Sequence, residues 1–485
     1  MKRSAYSTWA TVDDDAYVHN GVTGAFVKVP VDAHHRLDAF LAGSDDGAGI
    51  EDSLRALVEA RVLIADDSDE LAVLRSRYAR SRSDVSTLGF TVVTSLGCNF
   101  DCPYCFEEKH PSLLRPEVAE AILRIVDDSL PRVRSIGVTW FGGEPLLGKT
   151  QLLALSDELI RRCDAADTTY RANIITNGWY LDGATSKALA ERRVERAQVT
   201  IDGPPDVHDR YRPKVGGGST FWRIVDNLHA AVEHLRVNVR VNVEPANFVR
   251  IEELFEILAA EGLAGKISIG TGRLYACSTN AASPSASYGE GFTPAQYAKA
   301  ELDVLALAQR YGFGQGGLPT PTGTPCTAVR STEIVVGSEG ELWKCWDDVG
   351  NAAATIGTIF DVAADAKAVN ERLTPWLEFD PFSDADCTSC IALPGCMGGC
   401  AHRGLHSPNR EDQCGTFRYE HVEKVRRAAT MAAGHGAVTA TPLLDALRAA
   451  GLGSAGGGSA GVGSPLGVAA AGPVPVAIRP KTAVA

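Results

Sequence analysis

Three cysteines stand close together in Cys98-Asn-Phe-Asp-Cys102-Pro-Tyr-Cys105. A C-x3-C-x2-C spacing on a loop lets three thiolates converge on one metal centre, and three thiolates hold three irons of a [4Fe–4S] cluster while leaving the fourth iron without a protein ligand. An iron left open in this way can take a ligand from outside the protein and pass it an electron. The same loop could serve zinc, which also takes closely spaced thiolates but wants a fourth ligand, and His110 is the local candidate.

A second group follows much later: Cys326, then Cys345 at the end of Gly340-Glu-Leu-Trp-Lys, then Cys387-x2-Cys390-x5-Cys396-x3-Cys400, and finally Cys414. Seven of the chain's twelve cysteines thus fall in under a hundred residues. Buried structural thiols do not cluster so tightly, so iron–sulfur or zinc ligation is the reading, C-x2-C pairs being common to both. Of the remaining two, Cys163 sits on an expected helix and reads as a structural thiol, whereas Cys277 is open to either role.

The elements that must position these residues are legible as alternating patterns. Apolar, β-branched runs occur at 91–94, 136–140, 173–176, 198–201, 237–243 and 266–269, separated by helical spacing at 116–129, 151–163, 185–193, 221–235 and 249–261. Six repeats of strand then helix imply a parallel sheet. The expected fold is therefore α/β, a partial (β/α)6 TIM-like barrel over residues 89–275, with the chemistry on the loops after the strands. Ahead of it, residues 1–88 read as a small α+β domain, with a hairpin around Asn20-Gly21 and helices near 33–41, 50–60 and 70–80. Residues 276–325 read as a connector around one helix at 294–310, and 326–420 as a Cys-rich C-terminal domain. From 421 to 485 the expectation is one helix near 420–433 and then an Ala/Gly/Ser/Pro-rich tail without order.

Composition limits the alternatives. At 485 residues, two to four domains are expected. A net charge of −13 argues against a general nucleic-acid binder, which needs a basic surface. The first fifteen residues lack the apolar segment of a secretory signal, and no apolar run is long enough to cross a bilayer. A cytoplasmic location is expected, with no membrane partner, and there so many cysteines point to metal ligation rather than disulfides.

Tyr104 before the last cysteine of the loop, and Gly142-Gly143-Glu144-Pro145 one strand–helix unit later, resemble the motifs of the radical S-adenosylmethionine (SAM) superfamily. That resemblance implies a [4Fe–4S] cluster on Cys98, Cys102 and Cys105. It also implies S-adenosylmethionine contacts from Tyr104, Gly142, Gly143, Glu144, Asn177 and Thr200, with Arg240 and Asn242 as further candidates. The glycines would let the backbone approach the cofactor closely. The later cysteines resemble the SPASM extension of radical enzymes, which holds two auxiliary [4Fe–4S] clusters. Carried over, Cys387, Cys390, Cys396 and Cys414 would close one, and Cys326, Cys345 and Cys400 would hold the other, its last position open or filled by Cys277.

A radical oxidation needs an electron acceptor, which auxiliary clusters supply, and a proton acceptor, for which Asp202 is the candidate; alternatively Asp202 only hydrogen-bonds its own loop, Gly203-Pro204-Pro205. The segment 208–212 would line the mouth of the barrel or form a polar loop. The order of elements in 1–88 resembles a leader-peptide recognition domain, or else caps the barrel. The function so implied is reductive cleavage of S-adenosylmethionine to a 5′-deoxyadenosyl radical and oxidative modification of a ribosomally made peptide, by a thioether or carbon–carbon cross-link or a related oxidation. The implied partners are a peptide or protein substrate and an electron donor such as flavodoxin or ferredoxin. Alternatives are an anaerobic sulfatase-maturing enzyme, radical chemistry on a small metabolite, and a zinc-dependent interaction protein without catalysis.

Overall fold

In the computed structural model the six expected strands run Thr87–Ser95, Ser135–Gly142, Thr169–Thr176, Val194–Thr200, Arg236–Val243 and Ile267–Arg273. Residues 1–276, 280–289, 291–315, 317–360, 366–434 and 442–450 are described by the structure. The six strands pair in sequence order, each parallel to the next. Their side chains alternate between two environments, as a period of two requires. Val92, Val138, Trp140, Tyr170, Ile174, Ala197, Val199, Val239 and Val241 are buried. They share one core with Val118, Ile122, Leu152, Leu155, Leu159, Ile224 and Leu228 from the crossover helices. Gln198, Thr200, Arg240 and Asn242 fall on the alternate positions and line a cavity on the other face. Cys163 is fully buried in the helix-side core.

The sheet does not stop at the barrel. Strand Glu333–Val336 pairs parallel with the first barrel strand, Glu333 opposite Gly89, and continues through Glu341–Trp343 to Gly357–Thr358. A Cβ at Gly89 would lie 1.8 Å from a carboxylate oxygen of Glu333, so the Glu333 side chain occupies the space that glycine leaves open. The short strand Gly314–Gln315 extends the opposite edge, making ten strands whose two edges do not pair among the described residues. The Cys-rich region is thus built into the barrel sheet at its root.

Before the barrel, Ser7–Val12, Asp15–Asn20 and Phe26–Pro30 form an antiparallel meander, followed by helices Val31–Leu41, Glu51–Glu59 and Glu70–Arg82. Asn20 Oδ1 accepts from the backbone N–H groups of Val22 and Thr23, so the hairpin turns on an Asx-type bend. This unit has its own core of Ala16, Val18, Val29, Leu37, Leu57, Val62 and Leu63. The strand Ser7–Val12 was not expected from the sequence; its outer side is covered by helix Phe417–Ala432, a partner four hundred residues away.

Two further differences have local causes. Residues 208–212, expected at the mouth or in a polar loop, belong mostly to a helix, Pro205–Tyr211, started by prolines at positions that need no N–H donor. Near the C-terminus, helix Pro442–Ala449 lies inside the stretch expected to lack order. Its Leu444 and Leu447 are buried, and Leu444 N–H donates to Asp303 of helix Pro294–Arg310 at 3.0 Å. Residues 451–485, the rest of that tail, lie outside the described residues. No helix among the described residues is long and apolar enough to cross a membrane.

Candidate functional site

The loop after the first barrel strand is pinned before it reaches its cysteines. The Gly143 and Glu144 N–H groups donate to the carbonyls of Ser95 and Gly97, both at 3.0 Å. A Cβ on Gly142 would come within 2.2 Å of the Ser95 carbonyl, and one on Gly143 within 2.6 Å of the Gly97 carbonyl. In this structure the two glycines are therefore required by the backbone of the first loop, before any cofactor is considered. Glu144, fully buried, extends the fastening: its carboxylate accepts from Thr176 Oγ1 at 2.7 Å and from the N–H groups of Asn177 and Leu146 at 2.8 and 3.0 Å. It ties the loops after strands one, two and three together.

Beyond that anchor Cys98, Cys102 and Cys105 border a single cavity of about 230 Å³. Of the residues the sequence singled out, Tyr104, Gly142, Gly143, Asn177, Thr200, Arg240 and Asn242 also border it. Glu144 and Asp202 do not. Arg240 lies flat across the sixth strand, where a Cβ on Gly272 would meet its guanidinium at 2.2 Å, and its Nε donates to Asn242 Oδ1 at 2.9 Å. Asp202 stands behind Tyr104, whose hydroxyl donates to it. Its other oxygen accepts from the Asn242 N–H at 3.0 Å, and Asn247 Nδ2 donates to its carbonyl at 2.8 Å. Burial pushes the Asp202 carboxyl up, opposed by Arg212, whose Nη1 donates to the Tyr104 hydroxyl at 2.6 Å. The carboxylate is held by strand five and by these side chains rather than by the loop 203–205. Within 208–212 only Arg212 reaches the cavity, and His208 is fully buried beneath Asp202.

Sequence reasoning missed four charged residues of the wall: Glu107, Lys109, Arg273 and Asp347. The first two follow the cysteine loop directly, and the signal was a buried charge in Phe106-Glu107-Glu108-Lys109 that one-dimensional spacing does not reveal. Glu107 is 4% exposed, one of its oxygens has no partner, and burial pushes its carboxyl up to about 8.

The donor set fits an iron–sulfur cluster. Burial holds all three thiols above their ordinary range, Cys98 at about 12, so a compensating cation is needed to keep them as thiolates. Cys98 Sγ already accepts from the Phe100 N–H at 3.4 Å and from Asn177 Nδ2 at 3.8 Å, the N–H···S contacts that a bound thiolate uses. His110, the fourth ligand a zinc site would want, is exposed and does not border the cavity.

Cys387, Cys390, Cys396 and Cys414 surround a second, small pocket of about 20 Å³ with Leu393, Gly398 and Arg418. Arg410 spans two of the sulfurs, Nη1 to Cys414 and Nη2 to Cys387, both at 3.1 Å, while its Nε donates to Asp384 at 2.7 Å. Gly399, at φ +76°, brings residue 400 against the Gln413 carbonyl, where a Cβ would collide. Cys326, Cys345 and Cys400 are neighbours elsewhere in the same region: Cys326 accepts from the N–H of Ala401, a charge on Cys400 disfavours the Cys345 thiolate, and one on Cys326 disfavours that of Cys400. Cys326 reaches the surface. Cys277 lies outside the described residues.

Residues 92–263 match the family model of the Radical SAM superfamily. The AdoMet-dependent heme synthase of Oleidesulfovibrio alaskensis is 26% identical over 168 residues, 34% of this chain and 41% of that protein. The cysteine-type anaerobic sulfatase-maturating enzyme of Clostridium perfringens is 28% identical over 138 residues, 27% of this chain and 36% of its own. The match therefore spans about two fifths of these curated relatives. Among solved structures, native anSMEcpe with bound AdoMet and Cp18Cys peptide superposes with a TM-score of 0.54 at 17% identity, covering 70% of this chain and 98% of that one, and so shares the fold. The six parallel strands, the three-cysteine loop and these comparisons agree on a radical SAM domain over residues 92–263.

Proposed function

We propose that this enzyme oxidatively modifies a ribosomally made peptide, installing a thioether or carbon–carbon cross-link or a related oxidation. The observation that carries the reading is the folded unit of residues 1–82, a three-stranded sheet with three helices, seated against the second cysteine pocket. Tyr6 and Tyr78 donate to the carbonyls of Thr388 and Phe379, and Tyr6, Leu74 and Tyr78 share a core with Phe382, Cys387, Leu393 and Met397. A peptide held by that unit would lie beside the auxiliary cysteines rather than far from them. The boundaries 1–88, 89–275 and 326–420 are proposed as recognition, radical and auxiliary-cluster units.

In this reading Cys98, Cys102 and Cys105 would hold the radical cluster, with Cys387, Cys390, Cys396 and Cys414, and Cys326, Cys345 and Cys400, holding the auxiliary ones. When bound, the cluster and S-adenosylmethionine supply a 5′-deoxyadenosyl radical that removes a hydrogen atom from the substrate. The protein's part is positional. Gly142, Gly143 and Glu144 fix the loops, Arg240 and Asn242 offer a guanidinium and an amide for a carboxylate and a ribose, and Asn177 and Thr200 line the cavity between them. Asp202 is the proton acceptor proposed for the oxidation, with Tyr104 as the hydroxyl through which it reaches the cavity. A flavodoxin or ferredoxin is the electron donor proposed, and the cytoplasm the compartment.

The second reading, conversion of a cysteine or serine to formylglycine, is favoured by the sulfatase-maturating relative. Short peptides encoded beside this gene, and a sulfatase-derived peptide, offered to the anaerobically reconstituted enzyme, separate the two. Mass loss of hydrogen with the sulfur retained supports the cross-link; an aldehyde on the sulfatase peptide alone overturns it.

A further inference from the structure

Outside the cysteines, another set of metal-ligating side chains converges. Helix Ala401–His406 carries His402 and His406 four residues apart, a spacing that puts two imidazoles on one face. The third member, Asp348, comes from the turn Trp346–Asp348 that follows Cys345. His402 Nε2 and Asp348 Oδ1 are 2.9 Å apart, and one ligand atom from each of the three residues lies within 4.8 Å of the others.

The surroundings hold these groups in place. Asp348 and His402 are buried, and His406 is exposed. Trp376 packs beside both imidazoles, ring centroids 6.1 and 5.9 Å away, and the imidazoles themselves are 4.9 Å apart. Asp347, beside Asp348 in the same turn, adds a second carboxylate next to the group. Both histidines border a cavity of about 340 Å³, and its walls include Arg273 and Tyr275. Those two residues also border the three-cysteine cavity, so the two spaces share a wall.

We propose that Asp348, His402 and His406 bind one divalent cation of the zinc class, with its open coordination positions turned toward this second cavity. In a tetrahedral shell of about 2.0–2.1 Å bonds, two adjacent ligands stand roughly 3.3 Å apart, so His402 and Asp348, 2.9 Å apart, need to open by only a few tenths of an ångström to share one ion. His406, exposed at the rim beside Trp376, would close the remaining gap by side-chain rotation. Two imidazoles and a carboxylate without a thiolate suit zinc or ferrous ion, and three protein ligands leave room for a further donor. The site lies beside the radical chemistry and uses none of the cluster cysteines.

The test is equilibrium dialysis of the anaerobically reconstituted full-length enzyme against buffered Zn²⁺, followed by analysis of zinc, iron and acid-labile sulfide. The wild-type enzyme should take up about one zinc per chain beyond its clusters. His406→Ala should weaken that uptake at least roughly ten-fold, with iron and sulfide unchanged, and His406→Glu should restore it. His406 is exposed, so its removal does not threaten folding. No zinc uptake by the wild type, or equal uptake by His406→Ala, overturns the proposal and leaves His402 and Asp348 as a hydrogen-bonded pair.

Discussion

Around Cys98, Cys102 and Cys105, three thiols share about 230 Å³ with polar groups from five strand ends; around Cys387, Cys390, Cys396 and Cys414, four thiols enclose about 20 Å³ and are bridged by an arginine. The first set offers one thiolate fewer than a [4Fe–4S] cluster has irons, and the second offers one for each. The difference parallels that between catalytic metal sites, which keep a position open, and structural ones, which fill it. It also explains how each is built. The open site hangs on a sheet, whose strands hold its wall apart, while the closed site is folded from short helical turns and positive-φ residues, Met397, Gly398 and Gly399, that draw the chain tightly around itself.

The comparison breaks most sharply at the ligands. Replacing Cys98, Cys102 or Cys105 by alanine should abolish 5′-deoxyadenosine formation and remove about four irons per chain. Replacing Cys387 or Cys390 should remove a similar amount of iron and abolish product, yet leave cofactor cleavage within a few-fold of wild type. Chromatographic assay of 5′-deoxyadenosine alongside mass spectrometry of the substrate measures both. If Cys390→Ala also ends cofactor cleavage, the closed site is a structural support of the barrel and its separate role is lost.

A smaller effect is expected at Arg410. Its guanidinium donates to two sulfurs of the closed site and is held by Asp384, so it stabilises the more negative, reduced state of a bound cluster. Arg410→Gln should lower the reduction potential of that cluster by roughly tens of millivolts, read by potentiometric titration with electron paramagnetic resonance. The open site, which has no arginine on its sulfurs among the described residues' hydrogen bonds, should keep its potential.

Much of this contrast could be read from the sequence, and what could not has a physical reason. The six strands were visible because their burial is periodic, and the cysteines because ligand spacing is local. The strand Ser7–Val12 was not, since it is completed by a helix four hundred residues away. Helix Pro442–Ala449 was hidden by its small-residue surroundings, its order resting on Leu444, Leu447 and a tertiary contact to Asp303. The glycines at 142 and 143 were located for close approach to a cofactor; the structure adds a second demand, from the backbone of the first loop, and both demands call for the same residue. Glu107 and Lys109 were missed because burial of a charge is a property of the fold.

The smallest expected effect is the most informative about the open site's wall. Tyr104→Phe removes a hydroxyl that donates to Asp202 and accepts from Arg212, while the ring and its packing against Tyr211 and Tyr288 remain. Asp202 keeps the Asn242 N–H, and Arg212 lies 3.9 Å from its carboxylate, so the charge stays compensated. The loss should be about 1 kcal/mol of stability, roughly one degree in melting temperature, with cofactor cleavage reduced less than about ten-fold. If the hydroxyl only braces the wall, product and 5′-deoxyadenosine should fall together. Should cleavage persist while product formation collapses, the hydroxyl is the route by which a substrate proton reaches Asp202, and Asp202→Asn should then reproduce the same split. Loss as complete as in Cys105→Ala would instead mean that Tyr104 takes part in forming the open site itself, and the division between a ligand set and its wall would fail.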